Sequence, residues 1–359
     1  MATKSVIPFG PQHPVLPEPI QLRLVMEEER VIEAVPALGY IHRGLEKLAE
    51  AKDFLQNTFL IERICGICSF MHALTYCQGI EEMMGVTPPP RARYLRVIWS
   101  EFNRLHSHLL WVGLLADSFG FENLFMQAWR AREAVLDISE ITSGGRIMLS
   151  TCCIGGVRRD MDAAVQQQVL AAMERLEREF DGFVPTVLND YTVKRRTVGV
   201  GTITPQLAYE RGAVGPVARA CGIARDLRVT GYAAYGELGV VPVTETAGDC
   251  YARAQVRLRE LYQSIMLIRK ALKRLPDTPI SVPVKGNPEG EVVSRVEQPR
   301  GEVMYYLKGN GTKNLERMRV RTPTFANLAA LLAMLPGCEL ADVPVITLSI
   351  DPCVSCTER

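Results

Sequence analysis

Residues 20–25, Ile-Gln-Leu-Arg-Leu-Val, alternate apolar and polar side chains, the period of a strand with one buried face. A second run at 31–35 predicts an N-terminal hairpin, so residues 1–40 should form a small β region packed on a helical body. Residues 7–17 carry too many prolines for a helix. His42-Arg43-Gly44-Leu45-Glu46 opens a helix expected to run to about Asn57, with acids early. Residues 58–84 lead into another through Ile80 and Met83. After Pro88-Pro89-Pro90 come the long periodic stretches: 92–116, 118–141 closed by Ser143-Gly144-Gly145, and 161–182 with Asp160 or Asp162 as cap and Gly182 as stop. A further helix over 249–275 has Asp249 as cap and a stripe of Val256, Leu261, Ile265, Ile268 and Leu272. Residues 276–288 read as loop and Val303–Leu307 as a strand. The pattern predicts a mainly α, long-helix bundle with small peripheral β-sheets.

Composition narrows the classes. The chain has 359 residues, 47% of them hydrophobic, enough to bury a core without a metal staple. No linker, repeat or low-complexity stretch divides it, so one domain over 1–359 is expected. A net charge of +1 and no basic run argue against nucleic acid. The longest apolar run, 325–335, stops at Pro336 and falls short of the roughly 18 residues that span a bilayer. No apolar signal segment follows the first residues. Glycine-rich pieces such as Ile154-Gly155-Gly156-Val157 read as turns, and none forms a nucleotide-binding loop. Six of the ten cysteines (Cys77, Cys152, Cys153, Cys221, Cys250 and Cys338) fit no ligand pattern and read as small buried residues.

The other four fall in two motifs nearly a chain length apart. Arg63-Ile64-Cys65-Gly66-Ile67-Cys68 is followed by His72, and Asp351-Pro352-Cys353-Val354-Ser355-Cys356-Thr357-Glu358-Arg359 closes the sequence. A C-x-x-C sets two sulfurs on one turn, within reach of a single ion. Thiolates suit zinc, nickel, copper or iron–sulfur chemistry, so two converging pairs make a four-sulfur site. A structural zinc is the plain alternative, but such sites staple small domains with pairs closer in sequence. Arg63, Asp351 and Arg359 beside the cysteines are also more than such a site needs.

R-I-C-G-I-C-x-x-x-H and D-P-C-x-x-C-T-E-R resemble the two signatures of the large subunit of nickel–iron hydrogenases. The likeness is greatest to the energy-converting, membrane-associated branch, and it runs from Gly10 to Arg359. Gly10-Pro11-Gln12-His13-Pro14 and Gly215-Pro216-Val217-Ala218-Arg219 also occur in the quinone-site subunit of respiratory complex I, a relative that lacks the cysteine pairs.

The resemblance implies roles. Cys65, Cys68, Cys353 and Cys356 would hold nickel, with Cys68 and Cys356 shared with an iron that carries carbon monoxide and cyanide. Cys353 and Glu18 would move protons, with His13 as the next candidate relay. Pro299-Arg300-Gly301 matches the motif that hangs a guanidinium over the metals, and Asp117 and Asp351 would orient Arg300. The Thr324 hydroxyl would bond a cyanide, and His72 would be a neighbour of the iron. Glu46 matches a glutamate near a magnesium or second iron, although Arg359 stands where relatives place a histidine ligand. Relatives are trimmed three residues past the last cysteine, so a processed or naturally short end at Arg359 is expected.

On this reading the chain is a prokaryotic oxidoreductase that reversibly reduces protons to dihydrogen. Electrons would come from ferredoxin through a small iron–sulfur subunit, because this chain has no further cysteine set for a cluster. Ion-translocating membrane subunits would hold it at the cytoplasmic face of the membrane. The alternative is a non-catalytic, complex I-like subunit with a quinone site or a structural zinc.

Overall fold

The computed structural model describes residues 4–359. Strands β1 (Lys4–Phe9), β2 (Gln21–Glu27) and β3 (Arg30–Ala37) form one antiparallel sheet in that order. Leu22, Leu24 and Met26 fill its inner face, as the alternation predicts. The predicted hairpin is β2–β3, and β1 adds a third strand that the prolines disguised. Pro8 pairs opposite Arg23 on an edge strand, where a missing N–H is tolerated.

The helix expected over 42–57 is two short ones, α1 (Leu45–Ala51) and α2 (Asn57–Glu62). Local bonds end the first: the Asp53 carboxylate accepts the Leu55 N–H at 2.8 Å, and Phe54 N–H turns away to Lys313 O. Helix α3 (Ser69–Met84) then enters the core. Gly79 lets it lie against a second antiparallel sheet, Glu289–Gln298, Gly301–Asn310 and Leu315–Arg321; a Cβ there would meet Leu307 Cδ1 at 2.7 Å. Only the middle of this sheet is legible in the sequence, since 289–298 is dominated by polar residues.

Three long helices follow: α4 (Pro90–Asp117), α5 (Glu122–Ser143) and α6 (Ala163–Asn189). α6 runs past Gly182 and through Pro185. A glycine inside a helix costs only about 1 kcal/mol. The buried stripe from Val169 through Phe180 to Phe183, Val184 and Val187 outweighs that cost. The chain breaks at Asp190, whose side chain caps the next turn by accepting Val193 N–H.

α4 packs against the long helix Cys250–Lys273, and their shared seam is charged. Glu101, Arg104, Ser107, His108 and Trp111 follow one face of α4, and Arg253, Arg257, Glu260 and Ser264 follow the facing helix; all are buried. Arg104 donates to Glu297 O (2.8 Å) and Gln298 O (3.3 Å), the His108 Nε2–Glu260 Oε2 pair closes at 2.8 Å, and Ser264 Oγ donates to Glu101 at 2.6 Å. Arg219 bridges Glu260 (2.7 Å) and Glu297 (2.6 Å), and Arg228 binds Asp226. Pairing of this kind offsets the cost of burying these charges, while Arg253 and Arg257 donate to backbone carbonyls instead. The apolar stripe predicted for the long helix is buried on its remaining face. No helix among the described residues is long and apolar enough to cross a membrane.

Candidate metal centre

The two cysteine motifs fold alike. Cys65 lies in the loop after α2, and its sulfur accepts the N–H of Ile67 (3.2 Å) and Cys68 (3.3 Å). Cys353 precedes the last turn, Val354–Thr357, and its sulfur accepts the N–H of Cys356 at 3.4 Å. N–H groups aimed at sulfur favour the thiolate that a metal needs. Each second cysteine stands three residues on, one at the head of α3, the other within the last turn.

The pairs meet at the centre of the protein. Cys65 Sγ lies 3.3 Å from Cys353 Sγ, and Cys68 Sγ lies 3.6 Å from Cys356 Sγ; all four residues are at most 1% exposed. A disulfide would bring sulfurs to about 2.05 Å. Two sulfurs bound about 2.3 Å from one tetrahedral ion stand about 3.8 Å apart, close to what is seen. Hydrogen bonds from Cys353, Cys356 and Cys68 draw the Cys65 thiol well below its ordinary range, while burial pushes Cys68 and Cys356 well above it. Four thiolates in so buried a site need a cation among them. Of the buried arginines near the seam, Arg300 is the one whose charge faces the sulfurs directly.

Arg300 occupies the two-residue turn between strands Glu289–Gln298 and Gly301–Asn310. The turn is pinned where Gly215 and Gly301 meet backbone to backbone; a Cβ on Gly215 would lie 2.4 Å from Gly301 Cα. The Arg300 guanidinium donates to Asp351 O (2.8 Å), Asp351 Oδ1 (2.8 Å) and Ser107 Oγ (3.1 Å). Burial opposes its charge, but Asp351 and the cysteine sulfurs outweigh that and raise its pKa. Burial also raises the Asp351 carboxyl despite Arg300 and Arg257 nearby, and its second oxygen is buried without a partner.

One residue expected beside Arg300 is elsewhere. Asp117 is exposed at the end of α4 and makes no bond to Arg300. Ten residues of helix, about 15 Å, separate it from Ser107, which holds the place instead.

His72 pairs through Nδ1 with Tyr305 OH at 2.6 Å and through Nε2 with Cys356 Sγ at 3.4 Å. Burial lowers its pKa to about 4, so it is neutral. Thr324 Oγ1 accepts the Cys353 N–H at 3.1 Å, which leaves its own proton to donate. The Glu18 carboxylate accepts the N–H of Val354 and Ser355 and the Ser355 hydroxyl, binding the loop after β1 to the last turn. Glu18, Cys65, Trp111, Leu114, Arg300 and Asp351 line one cavity of about 250 Å³. Pro299 is the first residue of the Arg300 turn, and His13 lies against Phe9 in the N-terminal region.

Glu46 is engaged by protein cations rather than open to a metal. Its carboxylate accepts from Arg359 (2.8 Å), Arg319 (3.2 Å) and Val320 N–H (2.9 Å). Burial would raise its pKa, but the Val320 N–H and Arg359 outweigh that and lower it. The magnesium or second iron expected there is therefore disfavoured, because two guanidinium groups already supply the positive charge. Among the described residues, the group of metal-capable side chains that closes to within 4.8 Å is Cys65, Cys68 and Cys356.

Sequence reasoning missed Ser107, Tyr305 and Arg257. Tyr305 alternates with Val303 and Leu307 on a strand, so period alone places it inward. Ser107 sits three positions past Arg104, on the seam face. Arg257 stacks on Trp111, 4.3 Å from its ring centre, and burial lowers its pKa to about 10.

The family model for nickel-dependent hydrogenases matches residues 43–116, and that for the 49 kDa subunit of respiratory-chain NADH dehydrogenase matches 118–287 and 283–359. The chain is 41% identical to the carbon monoxide-induced hydrogenase of Rhodospirillum rubrum, over 98% of this chain and 99% of that one. It is 39% identical to the membrane-bound hydrogenase subunit alpha of Pyrococcus furiosus (98% and 87%). It is 38% identical to a subunit of the NADH-quinone oxidoreductase of Syntrophobacter fumaroxidans (96% and 93%). Among solved structures it is similar to a chain of the membrane-bound sulfane sulfur reductase, an archaeal respiratory membrane complex. That match has a TM-score of 0.95 at 30% identity and covers 99% of this chain and 98% of that one.

Proposed function

The chain belongs to the family that joins nickel-dependent hydrogenases to the 49 kDa subunit of respiratory-chain NADH dehydrogenase, and we propose that it is the catalytic subunit of an energy-converting nickel–iron hydrogenase. The observation that carries the reading is the convergence of four buried sulfurs beneath a buried arginine. Cys65 and Cys353 would be terminal ligands of nickel, and Cys68 and Cys356 would bridge to iron bearing carbon monoxide and cyanide. When bound, such a pair supplies a redox-active Lewis-acid position at which dihydrogen is formed or split.

The protein's own groups do the rest. Arg300, locked by Asp351 and Ser107, holds a fixed, buried positive charge beside the sulfurs, where preorganised charge acts strongly. The Cys353 sulfur takes or gives the proton, and Glu18, whose charge is felt at Cys353, carries it outward. His72 is neutral, so its bond to Cys356 adds no charge to that thiolate, and Tyr305 fixes the ring. Thr324 ties the Cys353 backbone and would turn its hydroxyl toward a ligand of iron.

Electrons need a carrier outside this chain. A small iron–sulfur subunit fed by ferredoxin, with ion-translocating membrane subunits beyond it, is the assembly proposed, at the cytoplasmic face of a prokaryotic membrane. Relatives named as membrane-bound hydrogenase and as part of a respiratory membrane complex support it.

Metal analysis and infrared absorption of the purified assembly test the reading. Nickel and iron in about equal amounts, with bands of metal-bound carbon monoxide and cyanide, are expected. Zinc alone, or no metal, sinks it and favours the alternative, a non-catalytic, complex I-like subunit with a quinone site or a structural zinc.

A further inference from the structure

We propose that Arg43 is a positioning residue that sets the gap between the two cysteine loops and so governs how firmly the centre holds its metals. The inference rests on the metal-centre reading and extends it to a residue that touches none of the sulfurs.

The geometry is a three-way grip. Arg43 Nη1 donates to Arg63 O at 2.8 Å, and Nη2 donates to Ile64 O at 2.9 Å and to Ser355 O at 3.0 Å. Arg63 and Ile64 are the two residues before Cys65, and Ser355 is the residue before Cys356. One planar fork therefore holds the upstream loop with one edge and reaches across to the C-terminal loop with the other. Lysine, a compact charge on a flexible stem, cannot span three carbonyls in fixed directions. The neighbouring residues pull the same way. Ile41 N–H donates to Glu358 Oε2 at 2.6 Å, and His42 Nδ1 lies 2.8 Å from Glu358 O. Leu45 then starts α1 directly after Gly44, so the fork stands on a rooted base.

The grip matters because metal–sulfur bonds tolerate only about 0.2 Å of misplacement. The two loops come from opposite ends of the chain, and Arg43 fixes their spacing from outside the ligand set. Residues that orient ligands without binding the metal typically change metal affinity about 10- to 100-fold when replaced.

The test uses the native assembly with Arg43→Gln and Arg43→Lys. Nickel and iron loss to a chelator is timed, and backbone hydrogen exchange is followed over residues 353–358 and over α3. The expected result is metal release about 10- to 100-fold faster in Arg43→Gln and intermediate in Arg43→Lys. Exchange should quicken in 353–358 and stay unchanged in α3. Wild-type release and exchange rates in Arg43→Gln would overturn the proposal. Should that variant not fold, the same two readouts on Arg43→Lys decide. If the assembly holds zinc alone, the nickel–iron reading fails, and exchange in 353–358 still decides Arg43.

Discussion

The two halves of the centre share a local turn but differ in what supports them. Cys65 and Cys68 stand at the mouth of α3, a 16-residue helix whose first twelve positions are mostly buried. Cys353 and Cys356 stand on a four-residue turn, too short to be stable alone. That turn is held from outside by Glu18, Arg43, Thr324 and the contacts of Ile41 and His42 with Glu358. Equal ligands can thus rest on unequal foundations: one half is set by packing, which is dense and hard to deform. The other is equally buried, but its short turn also depends on directional polar bonds, each worth about 1 kcal/mol net.

The comparison can be broken most severely at the sulfurs. Cys65→Ser or Cys353→Ser should abolish dihydrogen turnover and lower nickel content, since a hydroxyl is too hard a donor to replace a thiolate. Normal nickel with full activity in Cys353→Ser would exclude the C-terminal half from the centre. Arg300→Lys should leave the metals in place and cut turnover by orders of magnitude, because a flexible point charge cannot keep the contacts to Asp351 and Ser107. Retained turnover in a metal-replete variant would reduce Arg300 to an ordinary hairpin residue.

Acid should destabilise the whole fold through the buried histidines of α4. Burial lowers the pKa of His106 to about 3 and of His108 to about 4. Both are neutral in the fold at pH values where an unfolded histidine, near 6.5, would take a proton. The unfolded state then binds more protons, so stability falls as pH drops from about 6.5 toward 4, by about 1.4 kcal/mol per pH unit for each such histidine. Thermal unfolding followed over that range should show the loss, and His108→Gln should flatten it. An unchanged slope in that variant would remove His108 from the account.

Glu18→Gln should keep the metals yet slow proton movement, seen as slower isotope exchange between dihydrogen and water relative to para-to-ortho conversion. Unchanged exchange would move the relay elsewhere, with His13 next. Smallest of all, Arg359→Ala removes a partly exposed pair with Glu46 and should lower stability by no more than about 1 kcal/mol. A shift of the melting temperature well beyond that would mean the last residue holds up more of the turn than its contacts suggest.

The sequence made the cysteine motifs, the long helices and β2–β3 legible because each rests on local spacing. What it concealed was set by partners distant in the chain. β1 was hidden by prolines that an edge strand tolerates, and α6 outran Gly182 because its buried stripe continued. Asp117 lay in a motif-like place, but only the turn count along α4 shows that it cannot reach Arg300. Ser107 and Arg43 carry no motif that marks them as neighbours of the sulfurs, and their roles depend on residues near the other end of the chain.

The charged seam between α4 and the helix Cys250–Lys273 has a consequence for protein engineers. Its arginines and acids are divided among α4, the long helix, residues 219–228 and the strand ending at Gln298. A buried ion left without its partner costs about 3–5 kcal/mol. Chimeras that graft one of these segments from a relative with different charges should therefore fail to fold, whereas exchanging all four together should succeed. The heritable unit beneath the metal site is this scattered set, and recombination points should be chosen to keep it whole.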